Sequence, residues 1–281
     1  MPRTQTRLSG GGRDRGGKRT ATTMNPGRPP QEQKKKEKEE MYFLWKALFV
    51  SLPIILFIQW VWPTLIPFDT FQFWNWDGDT IWNGLMAGWP IYVWGLSVQF
   101  LLSTFAKFKQ KHIDEAEDFL IGGAFISVIA GVTEEISFRW IFFLGACFGV
   151  QFANFLFFGW FPWIFGDWAS FLEIPRLVSW YIAIPVADFF TAYKMHWLLV
   201  AQGWVVGAAC LGANAKFRDG HKYQGPLGVI NSWYLGLFFF WIMFEYGLVA
   251  AICVHIAYDM VIFSVLWFHA AARRSIQAMA R

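Results

Sequence analysis

Two adjacent carboxylates and an arginine stand in the stretch Thr-Glu-Glu-Ile-Ser-Phe-Arg, residues 133–139, inside an otherwise aromatic and aliphatic run. An ionised carboxylate in hydrocarbon costs several kcal/mol, so charge at such a place calls for either a function or a compensating ion pair. On a helix, Glu135 and Arg139 are four residues apart and share a face, where they can neutralise one another. Glu134 points about 100° away and has no sequence-local partner, which makes it the better candidate general base. His255 and Asp259 are also four apart, inside the last apolar run, and should face a helix bundle together. There Asp259 is expected to orient His255 or to act beside it. His221, four residues after Phe217, lies in the polar stretch Lys-Phe-Arg-Asp-Gly-His-Lys-Tyr-Gln-Gly, residues 216–225. Taken by itself it reads as a surface histidine, as do His112, His196 and His269.

These residue types suit activation of water by a carboxylate and an imidazole. Ser137 has no Gly-x-Ser-x-Gly surroundings, and the chain has neither a phosphate loop nor a His-Glu-x-x-His helix. Glu, His and Asp are also metal ligands, so a metal-dependent hydrolase stays open as an alternative. A purely structural ion pair stays open for Glu134, Glu135 and Arg139, and a packing hydrogen bond for His255 and Asp259. The three cysteines, Cys147, Cys210 and Cys253, lie in apolar runs without a Cys-x-x-Cys pair and read as small buried hydrophobes.

The elements that must position these groups are transmembrane helices. Of 281 residues, 56% are hydrophobic and 20% aromatic, with 18 Trp and 31 Phe, which is far more apolar than a soluble domain. Crossing about 30 Å of hydrocarbon takes roughly 20 apolar residues. Residues 41–269 supply about eight such runs, with helices expected over 41–67, 80–106, 118–146, 148–166, 176–193, 196–222, 226–244 and 247–269. Runs such as Leu235 to Phe244 lack the alternation of a membrane β-barrel. The expected fold class is therefore all-α, a polytopic membrane bundle.

Residues 1–40 carry eleven Lys and Arg against five Asp and Glu, a net +6, which leaves residues 41–281 at −2. This basic tail is expected to be disordered. An even span count puts both termini on one side, and the lysines and arginines at 107–111, 176, 216–222 and 273–274 share that side, predicting cytoplasmic termini. Trp60, Trp62, Trp74 and Trp76 fit an interfacial aromatic belt. One conflict arises: an unbroken helix entering at Asp118 carries Glu134 roughly 24 Å deep, far from a loop-borne His221. A helix break at Gly131, with Thr133 capping a new helix, would remove it.

Taken in order, Glu134-Glu135-x-x-x-Arg139, Phe217-x-x-x-His221 and His255-x-x-x-Asp259 resemble the motifs of the CAAX prenyl protease and bacteriocin-processing membrane proteins, also called the Abi family. Tyr223-Gln224-Gly225 and the glycine-containing hairpin at Tyr246-Gly247 are similar too, and the resemblance covers about residues 118–265. It implies an intramembrane glutamate protease that needs no metal or other cofactor, in which Glu134 and His221 activate water. His255 and the residue at 259 would stabilise the oxyanion, with Glu135, Arg139 and Phe217 in support. Its substrate would be a membrane-associated peptide or protein, a prenylated CAAX tail being one candidate. The partners would then be that substrate and the lipid bilayer, with no nucleic acid, and the cell membrane the expected location. The chain departs from the prenyl-protein enzymes at Asp259, where they carry Asn, because a carboxylate donates no hydrogen bond unless protonated. A non-catalytic immunity or scaffold protein is the alternative within the same resemblance. A transporter is a further class, against which the chain shows no repeated half.

Overall fold

The computed structural model describes residues 30–105, 116–222 and 225–279, and among them every regular element is a helix. The chain divides into residues 1–43 and 44–281. The first of these contributes only the opening of helix α1 (Pro30–Val61) to the described residues. The end of the basic tail, residues 30–40, is therefore helical where disorder was expected, and residues 1–29 lie outside the described residues.

Aspartate and proline punctuation sets the next elements. After α1 the chain folds through turns to Asp77, whose carboxylate accepts from the Thr80 backbone N–H at 2.8 Å and from its hydroxyl at 2.6 Å, capping α2 (Gly78–Ala87). Gly88 separates α2 from α3 (Trp89–Phe105). Then α4 (Ala116–Glu134) passes without interruption into a π-helical turn, Glu135–Ile141, and on into α5 (Phe142–Asn154). Short pieces follow: α6 (Phe161–Phe165), α7 (Ile174–Val178), α8 (Ile184–Phe190) and α9 (His196–Val200). The C-terminal third is α10 (Trp204–Gly220), α11 (Gly225–Tyr246) and α12 (Leu248–Met279).

Among the described residues, three stretches are long and apolar enough to cross a membrane: Gly122–Gly159, Gly225–Tyr246 and Leu248–Met279. The outer surface agrees, since Trp60, Trp62, Trp76 and Trp163 are all more than 60% exposed. A soluble protein rarely presents that much aromatic surface to water. The last two expected spans, 226–244 and 247–269, coincide with α11 and α12. No break falls between those expected at 118–146 and 148–166, where the helix continues to a kink at Phe157 and Phe158, and those at 176–193 and 196–222 are broken into the pieces around α7 to α10.

Gly131 does not break the helix. The ladder runs through it, and the Thr133 hydroxyl donates to the Ile129 carbonyl at 2.7 Å instead of capping a new helix. Gly131 works as a notch: a Cβ there would meet Ile256 at 2.5 Å and the Ile252 carbonyl at 3.3 Å. Lacking it, α12 can pack closely along α4, one residue from His255. The depth conflict falls for another reason. The helix continues to a kink at Phe157 and Phe158, so residues 122–156 span about 52 Å, well beyond the hydrocarbon thickness, and Asp118 need not mark the entry point.

The core is an aromatic cluster centred on Phe143, whose ring lies 5.5 Å from Phe240, 5.7 Å from Phe244 and 5.9 Å from Phe68. The loop between α1 and α2 is pinned beneath it: Trp140 Nε1 donates to the Thr70 carbonyl at 2.6 Å, and the Leu248 N–H to the Phe73 carbonyl at 2.7 Å. That second bond fixes the α11–α12 hairpin at Gly247, whose φ of +93° favours glycine. Cys147 and Cys210 are buried and Cys253 is half-buried, all as free thiols.

Candidate active site

Three helical segments deliver the polar groups to one place. The end of α4 and the π turn bring Glu134, Glu135 and Arg139. The end of α10 brings Phe217 and His221, and the middle of α12 brings His255 and Asp259. π turns widen the helix and recur at functional sites.

At the base of the cluster, Glu135 and Arg139 are both fully buried, with Arg139 Nη1 3.3 Å from Glu135 Oε1. That same oxygen accepts from His255 Nδ1 at 2.7 Å. The guanidinium carbon lies 4.0 Å from the centroid of the Phe217 ring and 5.2 Å from that of Phe239, a desolvated cation–π arrangement. Phe239 also stacks on the His255 imidazole at 4.6 Å. Glu135 is therefore more than a counter-ion, because it holds His255. Asp259 does not take that role: its carboxylate is 3.8 Å from His255 Nε2, beyond hydrogen-bond reach of that nitrogen and on the opposite edge of the ring.

Above this dry base lie the partly exposed groups. Glu134 is 28%, His221 19% and Asp259 23% exposed at the side chain. Glu134 Oε2 stands 4.0 Å from His221 Nε2 and 3.9 Å from His255 Nε2. His221 Nδ1 lies 2.8 Å from the Phe217 carbonyl. That oxygen can only accept, so Nδ1–H donates to it and Nε2 is turned toward the site. The Glu135 carboxylate likewise accepts from His255 Nδ1–H, which turns that ring's Nε2 toward the site. Both imidazoles thus aim Nε2 at one carboxylate oxygen, and that oxygen is buried with no hydrogen-bond partner among the described residues.

Separations of 3.9 and 4.0 Å are too long for direct hydrogen bonds. They are the right size for one water oxygen lying about 2.8 Å from a carboxylate oxygen and an imidazole nitrogen at once. The same four side chains, Glu134, His221, His255 and Asp259, offer donors that a divalent cation accepts. The measured separations exceed the ~3.4 Å ligand-to-ligand edge implied by bonds of about 2.0–2.1 Å, and no metal-ligand cluster of three is formed among the described residues.

All seven residues singled out by sequence therefore meet at one site. Phe239 was missed, since nothing distinguishes it among 31 phenylalanines. Asn214 was missed too: buried on the same face of α10 as Phe217 and His221, it donates to the Trp233 carbonyl at 2.8 Å. Its polarity within an apolar run was a usable signal. His196, read as a surface residue, is half-exposed but bonds the buried Asp188 at 2.6 Å through Nδ1. The ring of His269 lies 5.7 Å from that of Phe100, and His112 is outside the described residues. Comparison of the chain with protein-family profiles, with curated proteins and with solved structures found no match.

Proposed function

We propose that the protein is an intramembrane glutamate-type endopeptidase that hydrolyses a peptide bond of a membrane-associated peptide or protein. The observation that carries this reading is the convergence of two imidazole Nε2 atoms on the buried Oε2 of Glu134, which has no hydrogen-bond partner among the described residues. The order and spacing of the three motifs resembling the CAAX prenyl protease family support it as well.

In this mechanism a water held between Glu134 and His221 attacks the peptide carbonyl. Glu134 takes a water proton, the carbonyl π bond opens to an oxyanion, and the new C–O bond makes the tetrahedral intermediate. Collapse breaks the C–N bond, and the proton passes from Glu134 to the departing amine. His255, in its protonated form, donates Nε2–H to the oxyanion, and Glu135 keeps the ring in that orientation. Asp259 is a secondary contact to His255 in this chain, and its carboxylate takes no oxyanion-donor role. The reaction needs no cofactor and no nucleic-acid partner.

The setting is a multi-pass protein of the cell membrane with both termini cytoplasmic. Its short helices pair into broken spans beside the long ones, for about eight crossings. The test is cleavage of a lipid-anchored reporter peptide by purified protein. Glu134→Gln and His221→Ala are each expected to remain folded and to lose about 10²–10⁴-fold in rate, the usual contribution of a positioned acid–base group.

The dry Glu135–Arg139–His255 knot favours one second reading, a non-catalytic membrane scaffold or immunity protein whose polar cluster is a packing core. Under that reading Glu134→Gln and His221→Ala impair folding instead. A metal-dependent hydrolase is the remaining alternative, and activity that survives chelation rejects it.

A further inference from the structure

A groove of about 500 Å³ lies between α1, the π turn with the start of α5, and α10, and the mechanism uses none of the residues that line it. Its direction follows from pairings along its walls. Phe138 meets Phe217 at 5.5 Å, whereas Gln151 Nε2 donates to the Leu65 carbonyl at 2.8 Å. Hence α1 and α5 run the same way and α10 runs opposite. Ser51, Ile141 and Lys216 share one end of the groove, while Ile58, Phe148 and Gly212 share the other.

The two ends differ in chemistry. One carries the Ser51 hydroxyl and the exposed Lys216 ammonium. Lys216 has no carboxylate partner among the described residues, whereas Arg218 and Lys222 are both paired with Asp219. The rest of the groove is hydrocarbon. Between Ile141 and Phe148 it runs seven residues, about 10 Å of helix. Its walls, from Ile54, Ile55 and Ile58 on α1 to Phe142, Ala146 and Phe148 on α5, present apolar surface that suits a hydrocarbon chain.

Glycines keep the floor low. At Gly123, Gly131 and Gly236 an added Cβ would drive into a neighbouring helix, so glycine there serves close packing. At Gly145 and Gly212, which line the groove from facing helices, an added Cβ would meet nothing within 4 Å. Packing does not require glycine at either place, and each lowers intrinsic helix stability relative to alanine.

We propose that this groove binds one acyl chain of an anionic phospholipid from the surrounding bilayer, with the headgroup phosphate on Lys216. The site does not depend on the hydrolytic reading, and its test reads lipid binding alone. The full chain, purified in detergent, is titrated with phosphatidylglycerol or with phosphatidylcholine of the same acyl chains, and bound lipid is counted by native mass spectrometry.

Wild type is expected to retain one phosphatidylglycerol with about fivefold preference, the scale of one lysine near an anionic headgroup. Lys216→Gln is expected to retain one lipid and lose the preference. Gly212→Leu and Gly145→Leu, whose new side chains enter the groove, are expected to lose bound lipid while eluting and melting as wild type does. Equal retention of both lipids by wild type overturns the proposal, as does unchanged phosphatidylglycerol binding in the two leucine variants. Displacement of phosphatidylglycerol by an equimolar free fatty acid or by a lipid-anchored peptide would assign the groove to that occupant and overturn it too.

Discussion

Glu134 and Glu135 are neighbours in sequence with opposite surroundings, and substitutions should separate them. Glu135 is fully buried and is the counter-charge within ion-pair distance of the equally buried Arg139. Removing one member of a buried pair strands the other, at a cost of about 3–5 kcal/mol. Glu135→Leu is therefore expected to lower the melting temperature sharply and to release His255. Adding Arg139→Met should restore much of the stability, since an apolar pair can replace a buried ion pair, without restoring cleavage. Thermal melts of the two single variants and the double variant check this, and a double variant no more stable than Glu135→Leu would contradict it. The identities of these residues were legible because charge stands out in an apolar run. That Glu135 rather than Asp259 orients His255 was not, because an i to i+4 spacing within α12 says nothing about which neighbouring helix reaches the ring first.

Among the elements, the α10–α11 contact sets where Phe217 and His221 end up. A Cβ on Gly236 would collide with the Asn214 side chain, which is buried against α11. Gly236→Ala should destabilise the protein by about 1–3 kcal/mol, as overpacking does. Combining it with Asn214→Ala should be much less damaging than the two effects added, a coupling that a double-mutant cycle on thermal stability measures. At the start of α2, hydrogen bonds from the Thr80 hydroxyl and N–H hold the Asp77 carboxyl below its ordinary value. A lowered folded-state value means the cap stabilises fully above the unfolded value of about 3.9 and fades as pH falls through the folded one. In Asp77→Asn, which still caps but does not titrate, that acid-side loss should be absent when melting temperature is followed from pH 6 to pH 3. Helix existence was readable from apolar runs at both places. The helix break assigned to Gly131 was not correct, because glycine can serve close helix approach as well as interruption, and only the position of α12 decides between them.

At the scale of the whole molecule, an exterior rich in tryptophan and phenylalanine, with three stretches able to cross a bilayer, accounts for where the charge has gone. Among the described residues, the fully buried Glu135–Arg139 pair lies in the polar cluster of the candidate site. The protein should stay with membranes through alkaline carbonate extraction and be released only by detergent, and recovery in the aqueous fraction would count against the membrane reading. Apolar run length made the last two spans legible. It set a boundary at 146–148 where the helix runs on unbroken to the kink at Phe157 and Phe158. The site could be anticipated across 120 residues of sequence because polar groups in such a chain have few places to go. The most direct measurement is cleavage of a lipid-anchored peptide in ¹⁸O-labelled water by wild type and by folded Glu134→Gln. One ¹⁸O in the new carboxyl terminus with wild type, and a rate at least about 100-fold lower with the variant, is the expected result; equal rates in the two proteins would contradict Glu134 as the base.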